Sequence, residues 1–118
     1  MFPKRFARGR PRHVPGQMNK TEQRYAEHLQ ARKLAGEILD WQFPAPKFPL
    51  AKLTSYNPDF QVMLLNGEIE FHEVKGFMED DAAVKCKVFA EKWWMYRLVI
   101  VKSRAKKDGG GWELKEVG

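Results

Sequence analysis

The chain predicts an α/β fold in one domain, with a central mixed β-sheet flanked by helices. Three observations carry that prediction. A helical pattern opens at Asn19 and stops at Gly36. Asn66-Gly67, the strongest short hairpin signal, sits between two strand-like runs. Leu98-Val99-Ile100-Val101 is apolar on both faces, as a strand covered on both sides must be.

The elements follow in order. Asn19 can cap the first helix, with Glu22 three residues on completing a capping box. Tyr25, Leu29 and Leu34 give a loose apolar stripe, and Gly36 is a natural stop. Strands are expected at 37–43, 60–65, 68–75 and 96–102. Three prolines between Pro44 and Pro49 make that stretch a loop or a sheet edge. Asp80 or Asp81 begins a second helix that runs to about Trp93, and Gly109-Gly110-Gly111 precedes a last strand at 112–117. Trp93 and Trp94 close the helix; the default expectation is core packing for both, the alternative that one is core and the other stacks on a base or enters a dimer contact.

Side-chain parity sharpens the hairpin. Along 68–75, Ile69, Phe71, Glu73 and Lys75 share one face, and Glu68, Glu70, His72 and Val74 the other. A row that begins apolar and ends in a charge pair is costly on a core-facing strand unless the pair has a partner or a task. A two-residue turn at Asn66-Gly67 would pair Leu65 with Glu68 and turn Asp59 away from Glu73. A three-residue loop, Leu65-Asn66-Gly67 with Gly67 left-handed, pairs Leu64 with Glu68 and sets Asp59 opposite Glu73. The second arrangement is the one expected.

Pro58-Asp59 and Glu73-Val74-Lys75 therefore bracket a hairpin of thirteen residues, Phe60 to His72. Two carboxylates can neutralise a divalent ion, which lowers the pKa of a bound water, and a lysine can steady hydroxide and developing phosphorane charge. Glu113-Leu114-Lys115 repeats the Glu-x-Lys spacing but lacks a preceding Pro-Asp and hairpin. With Glu22 on an N-terminal helix, Tyr56-Asn57-Pro58-Asp59-Phe60, Glu73-Val74-Lys75-Gly76, and Lys85 and Lys87 on the following helix, the chain resembles the PD-(D/E)XK nuclease superfamily. Within it, the chain is similar to small phage and archaeal Holliday-junction resolvases, over about Asn19 to Val101.

The resemblance implies a restriction-endonuclease-like core and a metal-dependent endodeoxyribonuclease. Asp59, Glu73, Glu22 and the Val74 carbonyl would hold Mg²⁺, for which Mn²⁺ would substitute. Lys75 would orient the attacking water, and Lys85, beside the apolar face of the second helix, would reach the phosphate; Lys87 is expected at the surface. The implied substrate is four-way or other branched DNA, nicked symmetrically by a homodimer. Readings left open are a general phage DNA-processing or nicking endonuclease and a non-catalytic DNA-binding subunit.

Composition agrees with this reading. The chain has 118 residues, 43% of them hydrophobic, and a net charge of +6, which suits one folded domain with an anionic partner, nucleic acid first. The charge is uneven. Residues 1–18 read as a flexible basic arm carrying Lys4, Arg5, Arg8, Arg10 and Arg12 for DNA phosphates, and residues 19–118 as a single nuclease domain. One cysteine, Cys86, excludes an intrachain disulfide and suits a reducing compartment, and its place in a helical apolar pattern points to packing. His13, His28 and His72 lack zinc-ligand spacing. No apolar run approaches membrane-spanning length, so the expected location is the cytoplasm, that of the host cell if the protein is phage-encoded.

Overall fold

The computed structural model describes residues 17–75 and 80–118. Chain order is α1 (Lys20–Leu34), β1 (Ile38–Gln42), β2 (Phe48–Ala51), β3 (Thr54–Tyr56), β4 (Phe60–Leu64), β5 (Ile69–Lys75), α2 (Asp80–Lys92), β6 (Arg97–Ser103) and β7 (Trp112–Val117). A short 3-10 turn at Lys106–Asp108 lies between the last two strands. The five-stranded sheet has the order β1-β4-β5-β6-β7. It is mixed: β5 and β6 are parallel and joined through α2, while the other neighbours are antiparallel. The fold class is α/β with a central mixed sheet and helices.

Local signals fix the element ends. The capping box at α1 is formed: Asn19 Oδ1 accepts the Glu22 N–H at 2.8 Å, and Glu22 Oε1 accepts the Asn19 N–H at 2.9 Å. These bonds satisfy two amides that a helix start leaves without internal partners. After the C-cap at Ala35, Gly36 takes φ +79°, a left-handed turn that suits glycine.

The β4–β5 hairpin has the three-residue loop that parity demanded. Phe60 pairs with His72 and Met63 with Ile69; the Leu64 N–H reaches the Glu68 carbonyl at 2.8 Å. Gly67 has φ +89° and donates to the Leu64 carbonyl, and Asn66 Oδ1 accepts the Glu68 N–H. Continuing that register one residue outward sets Asp59 opposite Glu73.

Two apolar layers sandwich the sheet. On one face, Tyr25, Ala26 and Leu29 of α1 pack on Ile38, Phe60, Val62, Val99 and Val101. On the other, Cys86 and Phe89 of α2 pack with Phe48, Leu50, Tyr56, Phe71 and Leu98. β6 feeds both layers with alternate residues, which explains why its sequence is apolar throughout.

The small β2–β3 hairpin is the element that the proline pattern left as loop or edge. Phe48 and Pro49 pair with Tyr56 and Ser55 in a separate two-stranded sheet, with Leu53 at φ +63° in its turn. Its Phe48 ring meets Phe71, Phe89 and Trp93, so apolar packing recruits a segment with weak strand propensity. Trp93 packs against this second layer, whereas Trp94 is 75% exposed. The basic-arm residues Lys4, Arg5, Arg8, Arg10 and Arg12, and also Gly76, lie outside the described residues. Met18, which the sequence assigned to the arm, packs against the α1 layer. Among the described residues, no helix is long and apolar enough to cross a membrane.

Candidate functional site

Three carboxyl groups from three elements meet where β4 begins and β5 ends. Asp59 directly precedes β4, and its Oδ2 accepts the Val74 N–H at 2.8 Å. Glu73 sits on the α2 face of β5, where its Oε1 accepts the Tyr56 hydroxyl at 2.6 Å. Glu22, only 4% exposed, comes from the first turn of α1 and lies close enough to Asp59 to raise its pKa. The capping box holds Glu22 in place while its side chain joins this cluster, so the cap role and the cluster role coexist.

The motif before β4 does more than supply Asp59. Tyr56 is buried, ringed by Phe89, and its hydroxyl receives the Cys86 thiol at 3.6 Å while it donates to Glu73. The Asn57 side-chain amide donates to the Ala45 and Pro46 carbonyls, tying the 43–47 segment to the site. Pro58 is fully buried. Composition and spacing assigned no role to Tyr56 or Asn57; their position beside Pro58-Asp59 was the signal available.

The electrostatics follow from crowding acids in a dry place. Burial, then the charges of Glu73 and Glu22, push Asp59 up to about 9, against the lowering effect of its bond from Val74 N–H. Burial and the Glu22 charge push Glu73 up to about 7, although the Tyr56 bond works the other way. Asp59 and Glu73 therefore favour their protonated forms toward neutrality, because neighbouring carboxylates drawn out of water cannot all ionise cheaply.

These groups are hard oxygen donors, the chemistry that Mg²⁺ or Mn²⁺ prefers. A divalent cation would relieve the repulsion that the retained protons now relieve. The donor chemistry fits such an ion. Among the described residues, however, no group of three His, Cys, Asp or Glu side chains is arranged to hold a metal as it stands. Val74 meets Asp59 through its N–H; that bond fixes the backbone whose carbonyl was expected to be a ligand.

The remaining predicted residues separate. Lys75 is half-buried at the end of β5, two residues beyond Glu73 on the same row. Lys85 is half-buried on α2, one residue before Cys86. Lys87, expected only at the surface, is exposed but lines a cavity with Lys75. Glu113 and Lys115, the second Glu-x-Lys pair, are exposed on β7, two strands from Glu73.

No curated protein and no solved structure matches the chain. Residues 17–108 match the model of a family described as "Protein of unknown function (DUF1064)". That match spans the capping box, the hairpin, the carboxyl cluster and α2, and the chain belongs to the DUF1064 family.

Proposed function

We propose that the protein is a metal-dependent DNA endonuclease of the PD-(D/E)XK type with a restriction-endonuclease-like core, acting as a structure-selective Holliday-junction resolvase. The observation that carries this reading is the register of the β4–β5 hairpin, which, continued one residue outward, faces Asp59 toward Glu73, with the acid Glu22 close enough to raise the Asp59 pKa. A surface cross-strand salt bridge would leave such groups solvated and paired with a cation, worth a few tenths of a kcal/mol. Here buried Glu22 and half-buried Asp59 and Glu73 set acid near acid.

Asp59, Glu73, Glu22 and the Val74 carbonyl would hold Mg²⁺ or Mn²⁺. The bound ion would supply Lewis-acid polarisation of the scissile phosphate and a stronger water nucleophile at neutral pH. The protein's own part is positional. Tyr56 fixes the Glu73 carboxylate, and the Val74 N–H fixes Asp59. Lys75, next on the Glu73 row, orients the attacking water and offsets charge gathering on the phosphorane. Lys85 is the candidate second cation toward the phosphate. In-line attack would leave a 5′-phosphate and a 3′-hydroxyl.

Resolution of a four-way junction requires two symmetric nicks, hence a homodimer with two sites. The basic arm would add phosphate contacts, and the place of action would be the cytoplasm. The decisive experiment incubates the protein with a labelled four-way junction and a sequence-matched linear duplex, with Mg²⁺, Mn²⁺ or EDTA. Symmetric nicks on the junction alone, lost in EDTA, are expected. Equal cutting of both DNAs would make it a general DNA-processing or nicking endonuclease. Binding without metal-dependent cutting would make it a non-catalytic DNA-binding subunit.

A further inference from the structure

A cavity of about 630 Å³ opens on the α2 side of the sheet, lined by Lys75, Lys87, Lys102 and Lys115 from four separate elements. Register brings these cations together. Lys75 lies directly opposite Lys102 across the parallel β5–β6 pair, and Lys115 lies opposite Ile100 on β6. Like charges facing each other on one row of a sheet destabilise it unless an anion lies between them. Among the described residues, the ion pairs are made by Arg32, Lys33, His72 and Arg97, and none uses these four lysines. Two acids, Glu113 and Glu116, also line the cavity, and Glu116 pairs with Arg97 at 3.5 Å. Cations outnumber acids there.

The cavity also adjoins the carboxyl cluster. Lys75 follows Glu73 on its row, Ile100 is the register partner of Glu73, and Cys86, whose thiol bonds Tyr56, forms part of the wall. Ile100 and Val117 add an apolar part to a lining otherwise marked by lysines. A polyanion with an apolar side matches that surface. A nucleic-acid strand, with phosphates on one edge and sugars and bases on the other, is such a ligand.

We infer that this cavity binds the phosphate backbone of one nucleic-acid strand, carrying the strand that reaches the carboxyl cluster onward across β6 and β7. The inference rests on the nuclease reading for the direction of the strand, and its binding test is independent of cleavage. Lys102 and Lys115 are the residues to change, since both are exposed and neither is packed in the core.

The test measures binding of a fluorescently labelled single-stranded oligonucleotide by anisotropy, in EDTA, across a salt series. It uses the full chain, a double variant Lys102→Gln with Lys115→Gln, a double variant Lys102→Arg with Lys115→Arg, and Lys33→Gln. Lys33 is paired with Asp40 of β1, the sheet edge opposite β7. The glutamine double variant should lower the slope of log affinity against log salt by about 1.4, that is, by two phosphate contacts on a single strand. The arginine double variant should restore it, and Lys33→Gln should leave it unchanged. An unchanged slope in the glutamine double variant, or an equal loss in Lys33→Gln, would overturn the inference. Cleavage of the junction by the same preparations separates the two readings. Junction cutting with a lysine-independent slope sinks the cavity alone, and a lysine-dependent slope without cutting supports the cavity while removing the nuclease.

Discussion

Strand β5 carries two polar clusters, one on each face, that solve the same physical problem in opposite ways. On the α1 face, fully buried His72 stands between Tyr25, whose oxygen is 2.6 Å from Nδ1, and Glu70, 3.0 Å from Nε2. An ionised carboxylate only accepts, so Nε2 donates to Glu70, and Nδ1 and the Tyr25 hydroxyl share the other hydrogen bond. Glu70 also takes Arg97 at 2.7 Å, and these bonds hold it down to about 2. One residue beyond His72, on the α2 face, Glu73 and its neighbour Asp59 are pushed up to about 7 and about 9. The first cluster matches every charge with an opposite one, whereas the second places acid against acid. Opposite charges hold Glu70 in place, whereas Asp59 and Glu73 are the acids that the proposed function uses.

The largest expected effect breaks the second cluster. Glu73→Gln keeps an oxygen to accept the Tyr56 hydroxyl, yet should lower metal-dependent DNA cleavage by at least about 10²-fold. The same change should leave the protein without divalent ion as stable or stabler by about 1–2 kcal/mol near pH 8, since a buried repulsive charge is gone. Single-turnover cleavage and urea denaturation read the two halves of this prediction. A loss of stability together with activity would return Glu73 to a structural role.

Tyr25→Phe tests the first cluster. It leaves the buried His72 Nδ1 without its hydrogen-bond partner and should cost about 1–3 kcal/mol of stability. Cleavage at saturating metal should be nearly unchanged, so the variant is the mirror image of Glu73→Gln.

The clusters also oppose each other in pH. Asp59 and Glu73 have folded values near 9 and 7 against ordinary values of 3.8 and 4.5, so the folded state binds more protons between them. Stability without divalent ion should therefore fall as pH rises from about 4 to 9. Glu70 runs the other way: its depressed value stabilises the fold above about 4.5, and that contribution is lost as pH falls toward 2. Added Mg²⁺ should raise the melting temperature more at pH 8.5 than at pH 6, because the ion competes with the retained protons. Equal shifts at both pH values would remove the ion from this cluster.

The smallest effect falls on the helix that links the clusters. Asn19→Ala removes the bond to the Glu22 N–H and should cost about 1 kcal/mol. It should also weaken the metal-dependent gain in melting temperature, since Glu22 would be held less firmly beside Asp59.

Much of this architecture was written locally. Asn19 and Glu22 specify a capping box by spacing, Asn66-Gly67 specifies a loop, and the four apolar residues of β6 specify a strand covered on both sides. Parity even chose the loop length, because only the three-residue form turns Asp59 and Glu73 to the same side. What the chain did not declare depends on distant partners. Phe48 and Pro49 enter a strand because Phe71, Phe89 and Trp93 offer an apolar surface, a reward that no local propensity encodes. Tyr56 becomes the clamp on Glu73 through a contact seventeen positions apart. Lys87 and Lys115 join Lys75 around one cavity although 28 positions separate them, because α2 carries the chain across the sheet to β6 and β7. Local sequence set the period, the caps and the turn, since those depend on bonds within a few residues. The raised values of Asp59 and Glu73, and the opposite-charge pairing of Glu70 beside them, required tertiary structure, because a charge is costly or cheap only according to what surrounds it.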